Sequence, residues 1–187
     1  AGRIRWVQRT PAMAAQLTDH RWSVGELLTE LDKLDMAENT VVIFMGDNGH
    51  EPDSYVKHDP AGFLNGFWDG HQRGEDRFDG TLGQRGVKRS SHEGGLNVPF
   101  MIRWPGKIPD GAVSDEIVHV VDILPTLAKV AGFEVPTDRI IDGVDQYDFF
   151  LGKQEKSNRE GFIVYNNDDV YGYKWRNWKM HLIELEN

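Results

Sequence analysis

The sequence predicts an α/β fold followed by a small antiparallel β unit. An amphipathic helical pattern precedes an apolar strand run at residues 41–45. A second strand and helix pattern follows between residues 98 and 132, and residues 161–185 carry only strand patterns. Strands that alternate with helices are typical of an α/β body, whereas consecutive strands are typical of an antiparallel sheet.

The first helix is predicted over residues 11–34. Thr10 is its candidate cap, and Pro11 suits the first helical position. Leucine and valine recur every three or four residues up to Leu34, which places the apolar side chains on one face. Gly25 lies inside this pattern and indicates close packing against a neighbour.

The run at residues 41–45 is apolar on both faces, as is typical of a central strand in a parallel sheet. It is followed directly by Asp47 and Asn48, flanked by glycines. Ligands of open α/β sheets bind beyond the carboxyl ends of the strands, so we expect this pair at the edge of a site. Carboxylate and amide oxygens suit a hard cation such as Ca²⁺. Taken alone, however, such a dipeptide is more often an ordinary turn.

A glycine-rich segment from residue 62 to 111 contains the second group of candidates. Lys88 brings a compact positive charge that suits a tetrahedral oxyanion. His92 is close enough in sequence to face the same group, while Glu93 and the two glycines after it are expected to shape the loop. For any one of these residues, an exposed basic loop is the simpler interpretation.

The remaining elements are predicted in chain order. Strands are expected at residues 98–102 and 117–121, and Asp122 is expected to cap a helix that ends at Gly132. A short helix follows at residues 146–151. Residues 162–165 and 180–183 are the cores of two later strands. We therefore divide the chain into an α/β part, residues 1–155, and the start of a β unit, residues 156–187.

Composition limits the function classes. The 187 residues include 39% hydrophobic residues, enough for a buried core, and carry a formal net charge of −9. This acidic balance argues against nucleic-acid or membrane-surface partners, and no run approaches the ~20 apolar residues of a membrane span. The absence of cysteine excludes disulfides, thiolate metal sites and cysteine nucleophiles from this sequence.

In their order and spacing, the motifs resemble those of the formylglycine-dependent sulfatases. They are Asp47-Asn48-Gly49, Lys88 with Glu93-Gly94-Gly95, Val98-Pro99, Trp104-Pro105-Gly106, Asp122-Ile123-Leu124-Pro125-Thr126-Leu127 and Tyr173-Lys174-Trp175.

The resemblance implies an alkaline-phosphatase-like α/β fold with a mixed or parallel sheet, and arylsulfatase-like hydrolysis of sulfate esters. It also implies that Asp47 and Asn48 bind a divalent cation, usually Ca²⁺, and that Lys88 contacts the sulfate group. His92 is added as a second catalytic candidate because of its position beside Glu93.

In this family the nucleophile is a formylglycine made from Cys or Ser within a Cys/Ser-x-Pro/Ala-x-Arg signature. No residue of this chain begins that pattern. The resemblance therefore implies that the formylglycine and the other metal ligands lie in an upstream segment. We expect the chain to be a C-terminal portion, inactive by itself and with apolar strand surface exposed at residues 41–45.

Alternative functions stay open at this point. A phosphonate monoester hydrolase or phosphodiesterase of the same superfamily would share the metal site and the nucleophile, and a non-catalytic sulfatase-like fragment would use neither. The expected partners are a sulfate-ester small molecule or sulfated glycan and the N-terminal sulfatase segment. The resemblance implies a periplasmic, secreted or lysosomal location.

Overall fold

A computed structural model describes residues 20–50, 81, 83–88, 90–166 and 168–182. Within these ranges, no helix is long and apolar enough to cross a membrane. Short 3₁₀ turns lie at Ala37–Asn39 and Val120–Asp122. The helices and strands are α1 (Val24–Lys33), β1 (Val42–Met45), α2 (Glu93–Leu96), β2 (Phe100–Arg103), α3 (Ile123–Val130), α4 (Tyr147–Phe150), β3 (Gly161–Asn166), β4 (Asp169–Trp175) and β5 (Trp178–His181).

Helix α1 begins at Val24, so residues 20–23, which the periodicity predicted to be helical, lie outside it. Ser23 is its N-cap: the serine Oγ accepts the Glu26 N–H at 3.2 Å, and the Glu26 carboxylate accepts the Ser23 N–H at 2.7 Å. This reciprocal capping box satisfies the first free amides and sets the helix start. A Cβ at Gly25 would meet only the Ser23 side chain, at an ordinary 3.9 Å, so the predicted close packing is absent from the described structure. Thr10 and Pro11 lie outside the described residues.

Strands β1 and β2 form an antiparallel ribbon in which Phe44 pairs with Met101 and Ile43 with Ile102. The prediction of a parallel neighbour for β1 is therefore wrong for β2, because an apolar run reports burial and carries no information on strand direction. Ile43 and Ile102 line an apolar cavity together with side chains of α3 and α4. On the other face, Phe44 and Met101 are 46% and 59% exposed, so apolar surface is indeed exposed within β1.

The strand predicted at residues 117–121 does not form. Instead, the His119 side chain accepts the Val121 N–H, and the Asp122 carboxylate accepts the His119 N–H at 2.9 Å. These local bonds use backbone donors that a strand would offer to a neighbour. The 3₁₀ turn leads into α3, which is followed by Gly132 at φ +75°, the left-handed stop that the sequence predicted.

Asp122, the residue directly before α3, also forms a buried ion pair with Arg159. Its side chain is fully buried and accepts hydrogen bonds from Arg159 Nη2 at 2.6 Å and Nε at 2.8 Å. Burial alone would raise the pKa of this carboxyl, but the bonds from Arg159 and from the Val144 and His119 amides outweigh it, so the pKa is lowered. The pair ties the start of the predicted C-terminal unit to α3, and the boundary at residue 155 stays a prediction.

Replacing Asp122 with alanine is expected to lower the free energy of unfolding by roughly 3–5 kcal/mol, because it leaves the Arg159 guanidinium buried without its carboxylate. Since folding lowers the Asp122 pKa, the contribution is present above the unfolded-state pKa and is lost as the pH falls through the folded-state pKa. Urea unfolding across this pH range measures both effects. Asp138→Ala is the matched control, because the Asp138–Arg139 pair is 66% and 67% exposed, and it is expected to leave the midpoint unchanged.

The C-terminal strands form an antiparallel sheet in the order β3-β4-β5, as predicted. Its two faces differ in character. Lys174 and Lys179, directly paired in register, share one face with His181. Trp178 and Met180 lie on the other face and are 78% and 59% exposed. The face with the lysines is the one that meets the segment containing the site candidates.

Candidate active site

Asp47 and Asn48 lie in the tight loop after β1, residues 46–50, which we call the Asp-Asn loop. Both side chains are exposed. The Gly46 N–H donates to the Pro99 carbonyl at 3.2 Å, which fastens the loop to the chain before β2. The Asn48 side-chain amide donates to the Gly49 carbonyl at 3.0 Å, and its oxygen remains the candidate ligand. Among the described residues, no hydrogen bond or ion pair engages the Asp47 carboxylate.

The oxygen atoms of the Asp47 and Asn48 side chains suit part of a hard-cation site. A carboxylate and an amide oxygen are ligands that Ca²⁺ accepts, out of roughly six to eight. Within the described ranges, no group of three or more His, Cys, Asp or Glu side chains is placed to hold a metal. Among the described residues, Asp47 and Asn48 could supply two ligands of such a site, and a complete site would need further oxygens from elsewhere.

Lys88 is brought to the Asp-Asn loop by the backbone. We call residues 84–88 and 90–92 the lysine loop. It lies against the Asp-Asn loop, and the Lys88 N–H donates to the His50 carbonyl at 2.9 Å. The Gly49 N–H donates to the Gly95 carbonyl at 3.0 Å. Gly49 is buried, and a Cβ there would stand 2.1 Å from the Gly94 carbonyl oxygen. Only glycine permits this approach, so the two loops form one backbone unit.

The two glycines of α2 hold the lysine loop in shape. A Cβ on Gly94 would stand 2.0 Å from the Gly86 carbonyl oxygen, and one on Gly95 would stand 2.5 Å from the Val87 oxygen. The Gly94 N–H donates to the Arg85 carbonyl at 2.9 Å. Side chains at either position would push the helix off the loop, which is the shaping role expected for this pair.

The C-terminal sheet reaches the same segment. The His92 and His181 rings lie 4.6 Å apart between centroids, and His181 Nδ1 is 2.9 Å from Ser91 Oγ. Lys174 and Lys179 each donate to Glu93 Oε1 at 3.1 Å. The predicted candidates Lys88 and His92 are thus in one segment, contacted by the Asp-Asn loop on one side and by β4 and β5 on the other.

The sequence did not predict a site role for Lys174, Lys179 or His181, although Lys174 lies within one of the motifs that carry the family resemblance. They lie more than eighty residues from their partners in the chain, so spacing gives no signal. The only available clue is the strand alternation that places Lys174, Lys179 and His181 on one sheet face.

The charges at this contact affect each other. Burial by itself raises the pKa of the Glu93 carboxyl, but hydrogen bonds from Lys179 and Lys174 outweigh it and the pKa is lowered. Burial lowers the pKa of Lys179, and the Glu93 carboxylate only partly offsets this. Glu93 is therefore ionised at neutral pH and is the counter-charge for two neighbouring ammonium groups.

Comparison with known proteins identifies the family. The sulfatase family model matches residues 9–133. Rat (Rattus norvegicus) steryl-sulfatase is 36% identical over 156 residues, 83% of this chain and 24% of that protein; human (Homo sapiens) arylsulfatase D is 27% identical over 166 residues, 86% of this chain and 26% of that protein. The solved PsFucS1 sulfatase from Pseudoalteromonas sp. has a TM-score of 0.64 and 28% identity, over 84% of this chain and 28% of its own.

The chain thus spans about a quarter of the length of these curated relatives, 24% for the rat protein. Its structural likeness to solved sulfatases confirms the predicted alkaline-phosphatase-like fold class. The chain belongs to the sulfatase family.

Proposed function

We propose that this chain is part of a longer sulfuric ester hydrolase, called the parent enzyme below, which hydrolyses sulfate esters. The observation that carries the proposal is the junction of the two loops in a sulfatase-family chain. The Lys88 amide bonds to His50, two residues after the Asp47-Asn48 pair. A candidate cation site and a candidate anion-binding lysine therefore belong to one hydrogen-bonded backbone unit.

Each candidate has a role that follows from its chemistry. Asp47 and Asn48 would hold Ca²⁺ together with oxygen ligands from the rest of the parent enzyme. A bound divalent cation polarises an ester oxygen as a Lewis acid. Lys88 would place its ammonium group on the sulfate, where a fixed positive charge stabilises the negative charge that develops during transfer. His92 would lie beside the same group, and a formylglycine of the parent enzyme would supply the attacking oxygen.

The relatives support the proposed substrate class. The matched curated proteins are steryl- and arylsulfatases, which supports a sulfated small molecule, and a sulfated glycan is the second candidate within the same reaction. We also propose that the parent enzyme works in the periplasm, outside the cell or in the lysosome. Family membership supports this location, as it supports the proposed reaction.

The test compares esters that share one leaving group. The parent enzyme is assayed with an aryl sulfate, the matching aryl phosphonate and the matching phosphodiester, and sulfate is expected to be hydrolysed with the highest kcat/KM. The 187-residue chain alone is expected to be inactive, because none of Asp47, Asn48 and Lys88 supplies an attacking oxygen. A preference for either phosphorus ester would replace the proposal with its superfamily alternative. No turnover of any ester by the parent enzyme would leave a non-catalytic protein.

A further inference from the structure

Glu93 connects the C-terminal sheet to the segment that carries the site candidates. It is the first residue of α2, and one of its oxygens accepts from Lys174 on β4 and from Lys179 on β5, each at 3.1 Å. The Lys174 and Lys179 side chains are only 20% and 11% exposed, while the Glu93 side chain is 39% exposed, so the contact is shielded from water mainly on the lysine side. Hydrogen bonds between charged groups with limited access to water are stronger than exposed ones.

The two lysines require a negative charge at this place. They are direct cross-strand partners, and like charges opposite each other destabilise a sheet pair. The Glu93 carboxylate accepts from both, so it offsets their repulsion and the burial of Lys179 at once. Without it, β4 and β5 would present two adjacent positive charges to the backbone of α2.

Two further contacts follow from the same docking. Ser91 and His92, directly before Glu93, both touch His181 of β5. Three consecutive residues, Ser91 and His92 of the lysine loop and Glu93 of α2, therefore contact one face of the sheet. Because side chains from both β4 and β5 take part, the loop end is held at several points of the sheet.

A displacement at Glu93 would be transmitted to Lys88. The Gly95 N–H donates to the His92 carbonyl at 3.0 Å, and the Ser90 N–H donates to the Val87 carbonyl at 2.9 Å. Gly94 and Gly95 leave no room between α2 and the loop. Close-packed units of this kind move as a body, since there is no void to absorb a shift.

We propose that Glu93 is a positioning residue that, through Lys174 and Lys179, makes the C-terminal sheet set the place of the lysine loop in the active site. The role of the loop in catalysis rests on the proposed function, whereas the tether itself does not. Glu93 acts through the backbone of the loop, without contact with the sulfate ester.

The experiment replaces Glu93 with glutamine in the parent enzyme, which keeps the shape and removes the charge. We expect kcat for an aryl sulfate to fall by about tenfold to a hundredfold, as for a displacement of about 1 Å in an active site, with a smaller change in KM. Hydrogen exchange of the lysine loop, including the Lys88 amide, is expected to become faster. Glu160→Gln is the matched control, because Glu160 pairs with Arg176, which follows β4, and among the described residues it makes no pair with the loop. It should change neither readout.

A mutant cycle that treats the two lysine substitutions as one change distinguishes tethering by Glu93 from a direct contact of Glu93 with substrate. If Glu93 acts through the lysines, Glu93→Gln should cost little further activity once Lys174→Met and Lys179→Met are both present. An additional full loss in the triple variant would overturn the proposal, as would unchanged exchange and kcat in Glu93→Gln. Should Glu93→Gln fail to fold, Lys179→Met alone, which keeps Lys174 on Glu93, should give the same two effects in weaker form.

The two proposals fail separately. A parent enzyme without sulfatase activity overturns the proposed function, while hydrogen exchange still decides whether Glu93 holds the loop. An active parent enzyme with unchanged loop exchange in Glu93→Gln overturns only the tether.

Discussion

Replacing Asp47 with alanine in the parent enzyme is expected to reduce its Ca²⁺ content to a small fraction and to lower kcat/KM for an aryl sulfate by more than about a hundredfold. Of the two proposed ligands after β1, Asp47 is the one that carries a charge. A bound metal contributes several kcal/mol to stabilising a transition state. Metal analysis of the purified variant and steady-state kinetics measure the two effects independently.

The matched control for Asp47 is Asp110→Ala, another exposed aspartate in a loop, which should keep both the metal and the activity. High added Ca²⁺ should restore part of the lost activity, because the Asn48 oxygen and the ligands from the parent enzyme remain. Metal content and kcat/KM equal to those of the unmodified protein would show that the Asp-Asn loop is only a turn.

Replacing Lys88 with alanine is expected to lower kcat/KM on the order of 10²–10³-fold, as for removal of one positioned donor. The substitution leaves the backbone bond from residue 88 to His50 in place, so it tests the ammonium group and preserves the loop. Lys88→Arg should also be poor, since a planar guanidinium does not replace a compact point charge. Steady-state kinetics with an aryl sulfate, and thermal unfolding to confirm the fold, provide the measurement.

Lys107→Ala serves as the control for Lys88, because Lys107 is an exposed lysine in the turn after β2. It should leave kcat/KM unchanged. Near-normal kcat/KM in Lys88→Ala would contradict the sulfate-binding role and leave the lysine loop as an ordinary basic surface. Because Asp47 and Lys88 would act on the same ester group, their combined loss should be smaller than the product of the separate losses.

The candidate site residues could be proposed from the sequence because their signals are local. Asp47 and Asn48 directly follow an apolar strand, and the Glu-Gly-Gly motif stands five residues after Lys88. Gly49 and Gly94 are glycines because another stretch of backbone lies against them, and the residue type indicates this even when that stretch is distant in sequence. The helix stop at Gly132 and the alternation in the last strands are equally local, and both were predicted.

Some local signals competed with others and misled the prediction. The apolar run at residues 117–121 suits a strand, but His119 and Asp122 bond to the nearby backbone and form a turn instead. The helical period continues on both sides of Ser23, yet the capping box with Glu26 starts the helix there. In both cases a side-chain bond to a free amide overrode the periodicity.

The sequence by itself determined the family, the candidate ligands Asp47 and Asn48 and the candidate lysine Lys88, since each depends on residue type and on spacing within a short segment. The tertiary structure alone decided that β2 runs antiparallel to β1, that Asp122 is buried against Arg159, and that Lys174 and Lys179 meet on Glu93. Periodicity records which side of an element is buried, but it does not record which distant segment buries it. The contact between the C-terminal sheet and the lysine loop joins residues more than eighty positions apart, so it arises only through tertiary packing.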